Sequence, residues 1–563
     1  MDRYDLVILG GGLAGLTLAL QIKQRRPQTS VFVAEKREGP APDAAFKVGE
    51  STVETSATYF ADVLGLRDHL ENEQYPKYGL RFFCPAGDNS DITKRVEYAP
   101  TRKPVIDTFQ LDRGRFENEL AKRNMDIGTD LRGGTRVEEV DLGDPHRVTL
   151  SRGDERHTVE GRWVVDATGR AFTLKRKLGL EKESPHKINS SWIRLDGGLD
   201  IEDWGRDDAE WMARMPESGL RQFSTNHLLG EGYWIWMIPL VSGAISIGLC
   251  ADPRYHPFEQ INTLDGLLDW LGRHEPQLAA SLEPRRDQIL DFLKVEDYSF
   301  DVERVYHTDR WCLTGEAGAF ADPFYSPGSD FIAVGNTFIS DLVARDLEGE
   351  EITDRLEVWN FIYKTQFEAV LNNYLDQYHT MGNPQAMLAK LVFNAYYFAA
   401  LLSLVFVNQK FTDLEFVPSM GAMLQRVGPV AGRMEQLFRD WGKLEQRGFQ
   451  DHVFKLGEWR GHRERAEDEA KNYTDDELKA KLEQNSELVE GLAVLLFHKA
   501  AQLLTGTEVP EDVPIKPSAI GLDRARWEED GLFEPPGVSV AAARRMFPDL
   551  EGQLWLDRVA PAI

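Results

Sequence analysis

The sequence has few cysteines and no excess of basic residues. Its three cysteines, Cys84, Cys250 and Cys312, are too far apart in the chain for a CxxC redox or zinc pattern. We therefore expect no metal site and a reducing, cytoplasmic setting. The formal charge of -27 at pH 7 argues against sequence-independent binding to nucleic acids or anionic membranes, because such binding needs dense lysine and arginine.

The chain also lacks a basic and then apolar leader, so we expect no secretion signal. Long apolar runs are scarce as well, and residues 391–407 form a run of seventeen residues without a charge. Asn394, Tyr396 and Tyr397 dilute this run, whose length is at the lower limit for a spanning helix. We therefore predict a buried helix here and no membrane span.

The strands and helices that the sequence does predict indicate a Rossmann-like fold. The run YDLVILG at 4–10 is continuously apolar, which is typical of a central parallel strand. A glycine turn, an amphipathic helix and a second strand, SVFVAEK at 30–36, follow it. Alternating apolar residues then indicate antiparallel strands from about 186 to 310, and the sequence beyond about 345 is mostly helical in pattern.

We therefore predict an α/β fold made of four segments. A Rossmann-like domain is predicted for residues 1–185 and 311–345, with an inserted antiparallel β-sheet substrate region at 186–310. A mostly helical C-terminal region, 346–563, is predicted to cover the substrate site. This division agrees with the two to four domains expected of a chain of this length at about 150 residues per domain.

The glycine turn carries the first chemical signal. Gly10, Gly12 and Gly15 form G-x-G-x-x-G between a strand and a helix. Gly10 permits the tight turn, Gly12 lets the backbone approach a pyrophosphate, and Gly15 lets helix and strand pack closely. The free N–H groups at the start of the helix, around Leu13 and Ala14, would bind the diphosphate.

An acidic residue completes this dinucleotide-binding unit. Glu35 ends the second strand, where its carboxylate can accept a hydrogen bond from a ribose hydroxyl. Two further strand–turn segments, WVVDATGR at 163–170 and CLTGEAGAFADP at 312–323, resemble the later fingerprints of FAD-binding aromatic hydroxylases. The resemblance implies that Gly315 and Glu316 lie beside FAD near its ribityl chain, with Glu316 where aspartate is usual.

A third segment resembles the same group of enzymes. LDRGRFENEL at 111–120 is similar to their D-R-x-x-F segment, which makes Arg113 a candidate for contact with the cofactor. The sequence has no second G-x-G-x-x-G for a nicotinamide nucleotide. We therefore expect reduced FAD to come from a separate flavin reductase.

Two signatures narrow the resemblance to the flavin-dependent halogenases. YWIWMIP at 233–239 matches W-x-W-x-I-P through Trp234 and Trp236, and FADPFYSPG at 320–328 matches F-x-x-P-x-x-S-x-G. KVGEST resembles the family's segment beside the flavin, with Glu50 and Ser51 as its contacts. YPKYGLRFF resembles the segment that carries the essential lysine, which would be Lys77. The resemblance covers about residues 1 to 345.

The resemblance implies a reaction in which reduced FAD, O2 and chloride or bromide give hypohalous acid. This acid would pass to Lys77, and an electron-rich aromatic substrate would then attack the halogen. The two tryptophans would form a partition between flavin and substrate. A desolvated lysine fits this role, because its three donors and lowered pKa suit it to bind or react with the acid.

The sequence departs from the family pattern around the second signature. Tyr325 stands where tryptophan halogenases have a glutamate. Halogenases of phenols and pyrroles also lack that glutamate, so we expect a phenol- or pyrrole-like substrate, free or tethered to a carrier protein. Pro327 has no N–H, which leaves the amides of Gly328 and Ser329 for the halide, and Asp330 places negative charge nearby.

Because SPGSDFIAVGN equally resembles flavin monooxygenases, the alternative function is that of an aromatic hydroxylase. His227 and His379 are possible bases, with structural roles favoured.

Overall fold

The computed structural model describes residues 1–44, 47–444 and 449–554. These residues contain two eight-stranded sheets, and the central strands of the first sheet are parallel. Its strands lie in the order Tyr306–His307, Trp311–Leu313, Glu155–Asp166, Asp2–Leu9, Val31–Ala34 and Asp130–Arg132, and His146–Arg152 and Arg136–Asp141 extend it from Glu155–Asp166.

The central strand is buried because its apolar residues are continuous. Leu6 to Leu9 are fully buried, and Ile8 lies in register with Val33 on one side and Val165 on the other. Apolar side chains on both faces of a strand require a layer of structure on each face. The helix Leu13–Arg25 supplies part of one layer.

Further helices and a small two-stranded sheet also belong to this part of the chain. The helices are Glu54–Thr58, which continues as the π-helix Tyr59–Val63, then Arg67–Glu73, Arg113–Asp126, Thr173–Lys177 and Pro327–Glu348. A small antiparallel sheet pairs Tyr75–Lys77 with Thr108–Gln110, and two strands of the second sheet, Leu80–Phe83 and Glu97–Ala99, lie between them in the chain.

The second sheet is mostly antiparallel and draws on distant parts of the chain. Its strands lie in the order Ile289–Val295, Asn189–Leu195, Ile245–Ala251, Tyr233–Pro239, Thr225–Gly230, Leu80–Phe83, Glu97–Ala99 and Val453–Lys455. The helices Ala209–Ala213, Leu264–His274 and Pro276–Leu282 are connected to it. Two strands from before residue 100 and one from after residue 450 therefore join the predicted substrate sheet.

The strand Tyr233–Pro239 has two different faces. Trp234 and Trp236 belong to the large core shared with the Rossmann-like sheet and the C-terminal helices. Tyr233, Ile235 and Met237 belong to a separate core on the far side of the sheet. This alternation follows from the period of two along a strand, and it directs both indoles towards the core shared with the Rossmann-like sheet.

The C-terminal region is helical. Its longer helices are Thr353–Asn372, Pro384–Tyr397, Val417–Gly442, Arg460–Glu469 and Asp475–Thr505. The apolar run 391–407 lies in the helical segment Pro384–Val407, where 72% of the most apolar window is buried. That segment and Asp475–Thr505 are long and apolar enough to cross a membrane, and both pack largely inside the protein. The predicted α/β fold class with a helical C-terminal region is confirmed.

Candidate functional site

The glycine turn is built so tightly that two of its glycines cannot carry a side chain. Gly10 has a φ of +107°, and a Cβ there would lie 2.4 Å from the carbonyl oxygen of Ala167. A Cβ on Gly15 would lie 2.0 Å from the Gly10 oxygen. These contacts bring the turn against the end of the strand Glu155–Asp166, as close helix–strand packing requires.

Gly12 differs from these two glycines because its missing side chain leaves space. The nearest atom to a Cβ there is Lys47 Nζ at 3.3 Å. The following helix begins at Leu13, has no side-chain hydrogen bond at its N-cap and has no acidic residue in its first turn. The amides around Leu13 and Ala14 are thus free for an anion, since the first N–H groups of a helix have no partner within it.

Glu35 is held at this turn by two amides. The Gly11 N–H donates to Oε2 at 2.8 Å, and the Arg37 N–H donates to Oε1 at 2.7 Å. These bonds place the carboxylate at the end of the strand Val31–Ala34, beside the glycines. Each oxygen retains a lone pair for a further donor.

Arginines from other parts of the chain hold the predicted flavin segment, residues 47–51, by hydrogen bonds. Arg113 donates to the carbonyl oxygen of Val48 at 2.6 Å and to Glu117 at 2.6 Å. Arg194 donates to Glu50 Oε1 at 3.1 Å and to the Lys47 carbonyl oxygen at 2.9 Å. Burial raises the pKa of Glu50, and the charge of Arg194 opposes that shift.

Several buried polar atoms near these segments have no partner among the described residues. They are Arg37 Nε, Glu50 Oε2, Gln110 Nε2 and Arg113 Nε. Buried polar atoms are nearly always hydrogen-bonded in folded proteins. Unsatisfied donors and an acceptor beside an uncapped helix start fit a large polar ligand such as FAD.

Gly315 and Glu316 lie on a short 3-10 helix next to the glycine turn. Gly315 has a φ of +59°, and a Cβ there would lie 2.9 Å from the Ala14 Cβ. Glu316 pairs with Arg170 at 3.0 Å and is about two-fifths exposed. The structure therefore brings Gly315 against the first helix and gives Glu316 a cation as its partner, and their position beside FAD stays a prediction.

The second signature ends at the start of a long helix. Ser326 has a φ of +58°, which turns the chain into the helix that begins at Pro327. Its hydroxyl donates to Ser51 Oγ at 3.1 Å and so joins the signature to the predicted flavin segment. Proline suits the first helical position because that position needs no N–H. The amides of Gly328 and Ser329 lie in the same uncapped first turn.

Asp330 also lies in this first turn and is buried. Its Oδ1 accepts a hydrogen bond from the Ser56 amide at 3.0 Å. Burial raises the pKa of Asp330 to about 7, with nearby Glu54 adding to the rise and Lys77 opposing it. The carboxyl group is therefore largely neutral in mildly acidic solution.

Lys77 is buried and has no ion pair within the described residues. It ends the strand Tyr75–Lys77, is 1% exposed, and donates to the carbonyl oxygen of Thr52. Burial lowers the pKa of Lys77 to about 7, although the charges of Glu54 and Asp330 act in the opposite direction. A substantial fraction of this lysine is thus an uncharged amine near neutral pH.

Lys77 and Asp330 line one cavity of about 290 Å³. Its wall includes Tyr325 and Pro327 of the second signature. The C-terminal helices form much of the remaining wall, through residues such as Asn394 and Tyr397. The cavity therefore combines a titratable lysine with an aromatic and apolar lining, as small-molecule sites commonly do.

The two tryptophans support this cavity without lining it. Trp234 Nε1 donates to the Tyr378 hydroxyl at 2.9 Å, and Trp236 Nε1 donates to Ser246 Oγ at 3.1 Å. The Trp234 ring contacts Phe324 at a centroid distance of 5.1 Å, and Phe324 contacts the cavity residue Tyr325 at 4.7 Å. A partition between flavin and substrate stays a prediction for this pair.

The two histidines that we considered as bases have structural partners. His227 stacks on Phe82 at 4.4 Å and its Nδ1 lies 3.0 Å from the Arg81 carbonyl oxygen. Burial lowers the pKa of His227 to about 3, which makes it a poor base near neutrality. His379 Nε2 lies 2.9 Å from the Arg439 carbonyl oxygen.

A buried carboxylate inside the second signature escapes sequence reasoning. Asp322 accepts hydrogen bonds from Tyr298 at 2.5 Å and from Tyr378 at 2.7 Å, and it lies 2.7 Å from His186 Nε2. Tyr378 also receives the Trp234 bond, so Asp322 links the two signatures to the C-terminal region. The aspartate inside F-x-x-P is the one sequence feature that points to this cluster, but its partners lie far away in the sequence and cannot be identified from it.

Comparisons with known proteins agree with these observations. The model of the FAD binding domain family matches residues 3–242. The flavin-dependent halogenase chlA of Dictyostelium discoideum is 29% identical over 443 residues, which are 71% of this chain and 70% of that protein. A 1H-pyrrole-2-carbonyl-[peptidyl-carrier protein] chlorinase of Pseudomonas fluorescens is 25% identical, over 58% of this chain and 72% of that protein.

Solved structures share the fold. The crystal structure of halogenase PltM in complex with phloroglucinol and FAD has a TM-score of 0.61 and 17% sequence identity. The match covers 87% of this chain and 96% of that one. It therefore extends well into the helical C-terminal region.

Proposed function

We propose that this chain, which is similar to flavin-dependent halogenases and matches the FAD binding domain family over residues 3–242, halogenates an electron-rich aromatic substrate through Lys77. The substrate class is phenol- or pyrrole-like, free or tethered to a carrier protein, and the halide is chloride or bromide. The observation that carries the proposal is the position of Lys77. It is a buried amine on the wall of a cavity next to the second signature.

We propose that FAD is held by the glycine turn and the segments around it. The amides at Leu13 and Ala14 would bind the diphosphate, Glu35 the ribose, and Arg113 and Gly315–Glu316 the remaining polar groups. When supplied in reduced form by a flavin reductase, FAD with O2 provides the two-electron oxidation that turns halide into hypohalous acid. The amides of Gly328 and Ser329 would receive the halide.

Lys77 would then transfer the halogen within the cavity. The uncharged amine attacks the halogen of hypohalous acid, forming an N–halogen bond and releasing water. The ring of the substrate next attacks that halogen, and the amine leaves as the ring loses a proton. Lowering the pKa of Lys77 to about 7 favours this sequence, because only the unprotonated amine has the necessary electron pair.

The direct test uses purified protein with FAD, a flavin reductase with NADH, O2, bromide and phloroglucinol as the reporter phenol. We expect bromophloroglucinol and no hydroxylated product. Oxygen insertion into the ring in the presence of excess bromide would instead assign the hydroxylase alternative. Flavin reoxidation that never yields a modified aromatic would contradict both.

Gly12→Ala should weaken FAD binding without damaging the fold. A methyl group there meets only the flexible end of Lys47 but would separate the backbone from the pyrophosphate. We expect the dissociation constant for FAD, measured by flavin fluorescence, to rise about tenfold or more. The stability of the FAD-free protein should change by less than about 0.5 kcal/mol.

Two other glycines provide the controls for this experiment. Gly272→Ala places a methyl group in open space on a remote helix and should leave FAD affinity unchanged. Gly10→Ala should destabilise the protein itself, because its Cβ overlaps the Ala167 carbonyl oxygen. Unchanged FAD affinity in Gly12→Ala would remove this turn from the cofactor site.

The pH dependence should separate the roles of Lys77 and Asp330. The turnover number should rise as the pH increases through about 7, because Lys77 loses its proton there. The KM for bromide should also rise above about pH 7, where Asp330 becomes an anion beside the halide. Steady-state kinetics between about pH 5.5 and 8.5 measure both trends.

Asp330→Asn is the matched variant for this profile. It should flatten the rise in the KM for bromide but keep the rise of the turnover number that follows deprotonation of Lys77. A turnover number that falls through pH 7 in both proteins would show that the protonated lysine is the active form.

A further inference from the structure

A cluster of cations lies at the mouth of the Lys77 cavity. Arg102 and Lys103 are exposed and line the cavity, and they directly follow its wall residues Pro100 and Thr101 in the chain. Arg463 also lines the cavity and lies on the helix Arg460–Glu469 of the C-terminal region. Two distant parts of the chain therefore bring positive charge to one opening.

Gly457 brings the two arginines together. A Cβ on this glycine would lie 2.9 Å from Arg102 Nε, so the guanidinium group rests against the backbone there. Arg463 Nη1 donates to the carbonyl oxygen of Glu458 at 2.7 Å and to that of Gly457 at 3.4 Å. Burial lowers the pKa of neighbouring His462, and the charges of Arg465, Arg102 and Arg463 lower it further.

These cations lack the carboxylates that neutralise most of the other arginines in this acidic chain. Arg465 pairs with Glu469 at 2.7 Å, whereas Arg102, Lys103 and Arg463 form no ion pair among the described residues. Glu467 lines the same cavity without pairing to them. Cations that remain unpaired where the net charge is -27 favour an anionic ligand, because guanidinium groups bind planar oxyanions in fork geometry.

We propose that Arg102 and Arg463, assisted by Lys103, form an oxyanion subsite for a carboxylate or phosphate group of the substrate. This inference rests on the proposed function, since it places the aromatic ring of the same substrate at Lys77. Lys103 Nζ lies 5.6 Å above the ring of Tyr78, the residue after Lys77. A substrate that spans the cavity can thus contact both the cations and the reactive amine.

The test compares three phenols that differ in one substituent. They are 4-hydroxyphenylbutanoate, its methyl ester, and 2-(4-hydroxyphenyl)ethyl phosphate, each measured by calorimetric binding to the FAD-loaded protein and by bromination kinetics. We expect one of the anions to bind about tenfold or more tightly than the ester. A carboxylate preference indicates a free acid substrate, and a phosphate preference indicates a phosphorylated substrate or carrier arm.

Arg102→Gln/Arg463→Gln should remove the preference for the anion and leave the affinity for the ester unchanged. Arg102→Gln alone should show part of the loss, and it alters only an exposed side chain. Arg460→Gln, on the same helix but paired with Glu464, should keep the preference. The anion preference should also weaken as salt increases, because exposed charges are screened.

Equal affinity for the ester and both anions would overturn the subsite, as would an anion preference that persists in the double variant. Failure of the proposed function has a different signature. In that case the phenols would bind with the expected anion preference, but none of them would be brominated.

Discussion

Lys77→Ala should abolish halogenation while FAD binding and O2 consumption continue. The lysine lies on the cavity wall, 1% exposed and with its pKa lowered to about 7, whereas the predicted FAD contacts lie on other segments. Removing a nucleophile that forms a covalent intermediate costs about a thousandfold or more in rate. Product analysis and oxygen uptake measure the two activities in the same sample.

The effect on stability distinguishes a catalytic lysine from a structural one. A buried ammonium without an ion pair is unfavourable in the folded state, so Lys77→Met, which keeps most of the side-chain volume, should preserve or increase the resistance to urea. By contrast, Lys390→Met removes the buried partner of Glu435 and should destabilise the protein. Lys77→Met with retained halogenation, or with a large loss of stability, would contradict the proposed role.

The parts of the site that the sequence predicts are those whose determinants lie close together in the chain. Gly10, Gly12, Gly15 and Glu35 all belong to one strand–turn–helix–strand unit, and the backbone geometry of that unit follows from the glycines themselves. The family resemblance implies that Lys77 is the essential lysine, and its place on a cavity wall comes from the structure. The structure adds the burial that lowers its pKa.

The parts that the sequence does not predict depend on partners from distant segments. Arg194 reaches Glu50 across 144 residues, and Tyr378 reaches Asp322 across 56. The strand Val453–Lys455 joins the sheet beside Glu97–Ala99, although no local pattern indicates this pairing. Contacts of this kind are determined by tertiary packing, which overrides local propensity.

Pro327 has two opposite effects at the predicted halide position. The missing N–H removes one donor from the predicted halide position, yet proline also favours the first turn of the helix that begins there. The same turn carries Asp330, whose burial keeps it largely uncharged below about pH 7. The unfavourable charge expected from the sequence is therefore conditional on pH.

Glu97→Gln should destabilise the protein more than any surface substitution. Glu97 lies fully buried between Arg81 and Arg221, and all three side chains are inaccessible to solvent. Arg221 also packs on Trp211 at 3.5 Å, and Arg81 donates to the carbonyl oxygen of Pro100 at 2.7 Å. Removing the carboxylate leaves two buried guanidinium groups without an anion, which costs about 3 to 5 kcal/mol in the free energy of unfolding.

Urea denaturation measures the stability of Glu97→Gln, with Glu183→Gln as its control. Glu183 is an exposed residue on the strand Glu181–Glu183. Its replacement should change the free energy of unfolding by less than about 0.5 kcal/mol. Replacing the triad by Arg81→Met/Glu97→Leu/Arg221→Leu should recover much of the loss, because no buried charge remains. A Glu97→Gln variant as stable as the wild type would show that water or other groups satisfy both arginines.

The acid dependence of stability provides a second measurement on the same residue. Burial alone would raise the pKa of Glu97, but the charges of Arg81 and Arg221 outweigh it and lower the pKa below its usual value. The stabilisation is therefore present above the unfolded pKa of about 4.5 and is lost as the pH falls through the lower, folded value. The difference in unfolding free energy between the wild type and Glu97→Gln should shrink accordingly in acid. Because Arg81 and Glu97 join the strands that carry Leu80 and Tyr98 of the cavity wall, the same variant should also bind phloroglucinol more weakly.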